Sequence, residues 1–144
     1  MHDLELEQLD VKTAFLHGEL EEQIDMQHPQ GFIVEALKEK NIMFVCKKSL
    51  YGLKQSPRQW YKRFDSFMIG SGYSRSNNDS CVYFRKNDDG SFVYLLLYVD
   101  DMLIAAKNMS DIDELKKQMK NEFEMKDLGV AKKILDMEIK RNRK

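Results

Sequence analysis

The sequence predicts an α+β fold in which helices pack on one face of an antiparallel sheet. Its 144 residues are 42% apolar, enough for the core of one domain spanning residues 1–144. Short apolar runs bounded by turn residues indicate strands, and two amphipathic stretches indicate helices. Because these elements do not alternate strictly as strand–helix–strand, a parallel sheet is disfavoured.

The first half of the chain is predicted to be rich in strands. The pattern predicts, in order, a strand Leu4–Val11 that Gln8 interrupts, a short helix Thr13–His17 ended by Gly18, a loop or hairpin over 19–31, and a strand Ile42–Cys46.

Two helices are predicted in the second half. Ser56 can cap the first, with Pro57 in its first turn and an apolar face formed by Trp60, Phe64, Phe67 and Met68. Ser110 and Asp113 predict a capping box for the second, whose apolar stripe is Ile112, Leu115, Met119 and Phe123.

Three further apolar runs predict strands, Cys81–Arg85, Phe92–Val99 and Met102–Ala106. Asn87-Asp88-Asp89-Gly90 is a strong turn signal between the first two of them. A last strand is predicted within Ala131–Ile139, where the alternation is weak.

Composition excludes several classes of protein. The longest apolar run has eight residues, whereas a membrane helix needs about 20. The first ten residues contain four acids and no Lys or Arg, so no signal peptide is expected. With only Cys46 and Cys81, we expect an intracellular, reducing compartment. A formal charge of −1 argues mildly against a dedicated nucleic-acid binder.

Asp100 and Asp101 are the most informative pair of residues. They lie between two apolar runs, where an ordinary tight turn is one interpretation. The other is a metal site, because adjacent carboxylates repel each other and a divalent cation such as Mg²⁺ relieves that repulsion.

Asp10 is a second candidate, at the end of the first predicted strand. It could simply cap the following turn. If its strand lies beside those that flank Asp100 and Asp101, three carboxylates could instead hold two metal ions about 3.5–4 Å apart, as in phosphoryl transfer.

Four motifs resemble those of copia-type LTR retrotransposon reverse transcriptases, and together they cover nearly the whole chain. They are Tyr98-Val99-Asp100-Asp101, the segment Leu9–Gly18 (LDVKTAFLHG), the segment Ser49–Trp60 (SLYGLKQSPRQW) and the block Phe123–Gly129 (FEMKDLG). The segment Ser49–Trp60 is the most specific of them, and the three main motifs follow the family's order.

The resemblance implies the palm of a right-hand polymerase with incomplete fingers and thumb, as a fragment of a polyprotein. The implied activity is RNA-directed DNA synthesis with two Mg²⁺ ions, for which Mn²⁺ could substitute. The implied partners are an RNA or DNA template–primer, deoxynucleotides, and the integrase and ribonuclease H segments of a full-length element. No membrane partner is implied.

The resemblance also assigns roles to individual residues. Asp10, Asp100 and Asp101 would be catalytic and would bind metal together with the backbone oxygen of Val11. The nucleotide would be bound by Lys12, Thr13, Phe15 as the sugar gate, Gly52 and Lys126. The template and primer would contact Gln55, Ser56, Pro57, Arg58 and Tyr98.

Three positions depart from the family pattern. Asp25 replaces an aromatic residue, Asp136 a glycine, and Val130 a residue that is commonly polar. His17 and His28 are interpreted as loop residues, because neither has a partner at metal-ligand spacing.

Two alternatives to an active enzyme stay open. One is a catalytically inactive, truncated remnant with at most weak nucleic-acid binding, which would tend to aggregate or dimerise through exposed apolar surface. The other is a binding module that holds RNA by exposed aromatic side chains, although most aromatic residues fall on predicted core faces.

Overall fold

A computed structural model describes residues 3–26 and 44–140. The chain divides into two compact units, one formed by Met1–Ala14 with Phe64–Lys144 and the other by Phe15–Arg63. The assignment of residues 1–144 to one domain stays a prediction. His28 and the first two residues of the predicted strand Ile42–Cys46 lie outside the described residues.

Ten strands, two α-helices and one 3₁₀ helix make up the described elements. The strands are β1 (Glu5–Val11), β2 (Glu19–Met26), β3 (Phe44–Lys48), β4 (Ser74–Arg75), β5 (Val82–Lys86), β6 (Phe92–Tyr98), β7 (Asp101–Ala106), β8 (Met125–Val130), β9 (Lys133–Ile134) and β10 (Met137–Glu138). The helices are the 3₁₀ helix Ala14–His17, α1 (Ser56–Gly70) and α2 (Met109–Glu122). Within the described part of the chain, neither α-helix is long and apolar enough to cross a membrane.

The first unit is built on a six-stranded sheet in the order β4-β5-β6-β7-β1-β8. Every neighbouring pair in it is antiparallel, which confirms the predicted α+β class with an antiparallel sheet. The palm-like character of the fold stays a prediction.

Both helices contact the same face of this sheet, as predicted. The ring of Phe64 in α1 lies 5.6 Å from that of Tyr83 in β5, and Lys116 in α2 binds Glu7 in β1. We call this the helix face. Its strand residues form the buried core: Leu9, Val11, Tyr83, Val93, Leu95, Leu97, Met102, Ile104 and Ala106. The opposite face is called the open face.

Several boundaries differ from the predictions for local reasons. The prediction of a capping box formed by Ser110 and Asp113 is wrong, because α2 begins at Met109 with Asn108 at the N-cap position. Ser56 is the first residue of α1 and does not cap it; its hydroxyl donates to the carbonyl of Leu50 at 2.6 Å. The carbonyl of Gln55 accepts the first helical bond instead.

The C-terminal region contains more structure than the single predicted strand. Strand β8 was not predicted, and it pairs with β1 through a bulge between Gln8 and Leu9. Residues 131–139 form a hairpin of β9 and β10 rather than one strand. Leu135 and Asp136 make its turn with φ of 48° and 63°.

In the second unit, Glu19–Met26 form the single strand β2, which pairs with β3, so the prediction of a loop or hairpin for residues 19–31 is wrong over Glu19–Met26. Gly18 lies against the start of α1, where an added Cβ would stand 3.0 Å from the backbone nitrogen of Trp60. Its carbonyl accepts the N–H of Ser49 at 3.0 Å. Only a glycine permits this close approach of the two backbones.

A buried ion cluster fixes β1 and β8 on the helix face. The Nζ of Lys116 lies 2.5 Å from a carboxylate oxygen of Glu7 and 2.7 Å from one of Asp127. The side chains of Lys116 and Glu7 are only 7% and 8% exposed. Lys120 and the N–H of Gly129 also donate to Asp127. Each buried charge therefore has an opposite charge beside it, as buried ions require.

This cluster predicts acid sensitivity. Burial acts to raise the pKa of Asp127, but hydrogen bonds from Lys116, Lys120 and Gly129 outweigh it and hold the pKa well below its ordinary value of 3.8. A depressed carboxyl pKa stabilises the folded state above the unfolded pKa, and this stability is lost as the pH falls. We expect the free energy of unfolding in urea to fall as the pH is lowered below about 5.

The variant Asp127→Asn tests this expectation. It should be less stable than the wild type at neutral pH and should lose less stability between neutral pH and the acid range. Lys116→Met removes the cation while keeping most of the side-chain volume, so it should flatten the same pH dependence. Parallel pH curves for the wild type and both variants would contradict the assignment.

Candidate functional site

Strand register brings the predicted carboxylates to one edge of the sheet. Asp10 in β1 pairs with Asp101 in β7, and Asp101 pairs with Tyr98 in β6. Residues directly opposite in antiparallel strands project from the same face, so all three belong to the open face. Asp100 lies in the turn between β6 and β7, and its carbonyl accepts the N–H of Val11 at 2.9 Å.

The turn that carries Asp100 is strained. Val99 precedes it with a φ of +57°, in the left-handed region. A β-branched residue rarely adopts this conformation, and such residues concentrate at functional sites. The sequence has neither Gly nor Asn in this turn, and the structure shows that Val99 adopts the positive φ instead. Its side chain is 45% exposed, so burial of the valine does not explain the turn.

The three carboxylates repel one another. Partial burial raises the pKa of Asp10 above its ordinary value of 3.8, and the charges of Asp100 and Asp101 raise it further. Lys126, which pairs with Asp10 from the other side in β8, acts in the opposite direction. The edge therefore concentrates negative charge, and Lys126 offsets part of it at Asp10.

The donor set suits a hard divalent cation, because it consists of carboxylate oxygens that destabilise one another when charged. Within residues 3–26 and 44–140, however, no group of three or more His, Cys, Asp or Glu side chains is positioned to bind a metal ion. The backbone thus brings the carboxylates to one edge without converging their oxygens on one point.

Gln8 is a further residue of this edge that the sequence did not identify as functional. It is buried, and its Nε2 lies 3.5 Å from Oδ1 of Asp101. On β1 it is two residues before Asp10 and shares its face. In the sequence, the signal for this residue was that Gln8 interrupts the alternation of apolar residues in the predicted strand Leu4–Val11.

The first-unit residues predicted to bind the nucleotide lie around the same edge. Lys12 follows β1 and forms an exposed ion pair with Glu124, at 2.8 Å. Thr13 has a φ of +52°, and its hydroxyl donates to the carbonyl of Lys12. Lys126 is exposed on β8 opposite Asp10. Glu124 is thus a partner of Lys12 that the sequence did not reveal.

The remaining predicted residues belong to the second unit. Phe15 is half-buried, and its ring centroid lies 4.7 Å from that of the exposed Tyr51. Gly52 has a φ of +94°, which favours glycine. Ser56 is completely buried, Gln55 is half-buried, and Pro57 and Arg58 are exposed.

The three departures from the family pattern have distinct surroundings. Asp136 has a φ of +63°, in the left-handed region, which explains why the family pattern has a glycine at this position. The carboxylate of Asp136 pairs with Lys133 at 2.7 Å. Asp25 is exposed in β2 and accepts a hydrogen bond from Gln23. Val130 is 63% exposed at the end of β8.

Comparison with known proteins identifies the family. The sequence model of the reverse transcriptase (RNA-dependent DNA polymerase) family matches residues 1–144. The chain is 56% identical over 143 residues to the retrovirus-related Pol polyprotein from transposon TNT 1-94 of Nicotiana tabacum. It is 34% identical over 131 residues to a transposon Ty5-1 protein of Saccharomyces cerevisiae, and 35% identical over 138 residues to the Pol polyprotein from transposon RE1 of Arabidopsis thaliana.

These alignments cover 98%, 91% and 94% of this chain but only 10%, 42% and 9% of the respective relatives. The chain thus spans less than half the length of each of these curated relatives. The family match extends over every motif that carried the resemblance. The chain therefore belongs to the reverse transcriptase family, in the copia-type group to which these plant Pol polyproteins belong.

Proposed function

We propose that this chain carries the nucleotidyl-transfer site of an RNA-directed DNA polymerase that uses two magnesium ions, or manganese in their place. The observation that carries the proposal is the gathering of Asp10, Asp100 and Asp101 at one strained edge of the sheet. Carboxylates in this arrangement destabilise the protein in the absence of a cation, which is typical of functional sites.

Asp10, Asp100 and Asp101 would hold the ions, together with the backbone oxygen of Val11. Divalent ions held there would supply activation of the attacking hydroxyl and neutralisation of charge on the transferred phosphoryl group and the leaving pyrophosphate. Gln8 supports this role as a positioning residue, because its amide lies beside Asp101. Lys126 adds a positive charge next to Asp10 and is our candidate for contact with the pyrophosphate.

The nucleotide would further contact Lys12, Thr13, Phe15 and Gly52. Lys12 forms an exposed ion pair with Glu124. An ion pair at the surface contributes little to stability and exchanges readily for a phosphate partner. Phe15 would act as the sugar gate, with the ring of Tyr51 against it.

The template and primer would contact the start of α1 and the end of β6. Pro57, Arg58 and Tyr98 are exposed and available for this contact, whereas Ser56 contributes by holding the preceding loop through Leu50. Gln55 is the remaining residue proposed to contact the template and primer. In a full-length element, integrase and ribonuclease H segments would be covalent partners.

The double variant Asp100→Asn, Asp101→Asn tests the carboxylates. We expect the wild type to bind Mg²⁺ by calorimetry in the presence of primer–template and a deoxynucleotide, and the variant to lose this heat. Primer extension should fall by at least about a hundredfold, as when a preorganised electrostatic stabiliser is removed.

Asp88→Asn is the matched control, because Asp88 lies in the turn at the other end of β6. It should leave both readouts unchanged. Equal heats for the wild type and the double variant, with both folded, would contradict the proposal and favour the catalytically inactive remnant.

Phe15→Ala tests the sugar gate. A smaller side chain leaves room for a 2′ hydroxyl, so we expect the ratio of deoxynucleotide to ribonucleotide incorporation to fall by tenfold or more, on the order of discrimination by one group in a pocket. The ratio is measured in one extension assay with both nucleotides, which corrects for a general loss of activity. Phe15→Tyr should retain the wild-type ratio, and an unchanged ratio in Phe15→Ala would remove Phe15 from this role.

A further inference from the structure

The open face of the sheet is apolar along its middle. By register, the residues that project from it include Leu6, Val82, Phe84, Phe92, Tyr94, Leu96, Leu103 and Ala105. None of these side chains is fully buried, whereas the strand residues of the core on the helix face are at most 3% exposed. Because both α-helices contact the helix face, this apolar surface is typical of an interaction site.

The open face has the size of a protein–protein interface. Its six strands lie about 4.8 Å apart and are at most about 20 Å long, which gives an outline of about 600 Å². A standard interface buries about 800 Å² on each partner, and the relief of side chains makes the buried area larger than a flat outline. The face is therefore near the size that a stable dimer needs.

The two ends of this face differ in shape. At one end, the turn between β6 and β7 exposes Tyr98 by 55% and Val99 by 45%. At the other end is a cavity of about 620 Å³, whose lining includes Leu4, Phe92 and Lys107. Six residues of strand, or about 20 Å, separate Phe92 from Tyr98. The exposed turn of one copy can therefore enter the cavity of another copy whose strands run in the opposite direction.

The two ends also differ in charge. Asp10, Asp100 and Asp101 lie at the turn end, where the charges of the other two raise the pKa of Asp10. Lys86 and Lys107 are exposed at the cavity end. If two copies met with their strands running in the same direction, three carboxylates would face three others. Opposite strand directions place the carboxylates against the lysines instead, so charge favours that orientation.

The cavity end contains acids as well, so its charge is balanced rather than positive. Asp3 and Asp89 line the cavity together with Lys107. The backbone N–H and the hydroxyl of Ser91 donate to Asp89. These hydrogen bonds are the main cause of the lowered pKa of Asp89, and Lys107 contributes less. Lys107 thus lies at an end where carboxylates already have other donors.

We propose that the open face binds a second copy of this chain, with the strands of the two sheets running in opposite directions. A two-fold axis then crosses the strands at the level of Ile104, and the interface is isologous. Leu103 of each copy packs against the small Ala105 of the other, at the spacing of about 10 Å that is usual for stacked sheets. Asp101 of each copy meets Lys107 of the other.

This inference goes beyond the proposed function and requires no bound metal. It assigns one role to three features of the open face, which are its apolar middle, its cavity and its exposed turn. In the dimer, Tyr98 of one copy enters the cavity of the other. The second copy therefore contributes a lysine to the carboxylate edge and covers it.

The first test is sedimentation velocity of the full chain in EDTA and a reducing agent, between about 1 and 100 µM. We expect a dimer of twice the chain mass of 17.0 kDa. Leu103→Glu places two like charges near the axis and should raise the dissociation constant of the dimer at least about tenfold. Ile69→Glu is the matched control, because Ile69 is an exposed apolar residue of α1, and it should leave the constant unchanged.

A charge swap tests the orientation and does not alter the apolar middle. Lys107→Glu and Asp101→Lys each place like charges opposite each other, so each should weaken the dimer about tenfold or more. The double variant restores opposite charges in both pairs and should dimerise within about threefold of the wild type. Circular dichroism of each variant shows whether it is folded. If Leu103→Glu does not fold, the charge swap decides.

A wild type that stays monomeric up to about 100 µM overturns the inference and leaves the face to a different macromolecule. A double variant that dimerises more weakly than either single variant also overturns it, as does equal weakening by Leu103→Glu and Ile69→Glu. Because these measurements contain no magnesium, they are independent of the metal-binding assay. Absence of magnesium heat in a chain that dimerises as described would contradict the proposed function alone.

Discussion

The pairing of β7 with its neighbours on both sides is the constraint on which the candidate site depends. It places Tyr98, Asp101 and Asp10 in one row across three strands, and β8 adds Lys126 beside Asp10. A shift of one residue in any of these pairings would turn the side chain to the opposite face. The carboxylates therefore reach one edge because the backbone register puts them there, in spite of their mutual repulsion.

Lys116 secures this register from the helix face. Its ammonium group binds Glu7, three residues before Asp10, and Asp127, the residue after Lys126. Asp127 in turn accepts the N–H of Gly129 at the bulge. One buried cation thus connects the two strands that present Asp10 and Lys126 on the open face. The ion cluster contributes to the site by fixing which residues face each other, since buried ion pairs are weak evidence for stability alone.

Local patterns predicted much of the fold, and they drew attention to Asp10, Asp100 and Asp101, which the strand register brings to one edge. The apolar run of β6, the turn at Asn87–Gly90 and the apolar stripe of α2 depend on near neighbours, and the structure confirms them. Strand β8 could not be predicted in this way, because Asp127 and Gly129 disfavour strands and its support comes from Lys116 and β1. Likewise, Glu7 lies 109 residues from the lysine that permits its burial. Neither the positive φ of Val99 nor the aromatic open face follows from local periodicity.

The most direct test of this account is the stability of the protein with and without Mg²⁺. In metal-free buffer, the raised pKa of Asp10 means that its charged form disfavours folding, so Asp10→Asn should have a higher free energy of unfolding than the wild type at neutral pH. Magnesium should make the wild type the more stable of the two proteins. At a magnesium concentration a hundred times the Kd, the free energy of unfolding of the wild type should rise by about 2.7 kcal/mol, and that of Asp10→Asn should not change. Urea unfolding curves that respond equally to magnesium in both proteins would contradict the proposal that the carboxylates gathered by the register bind metal.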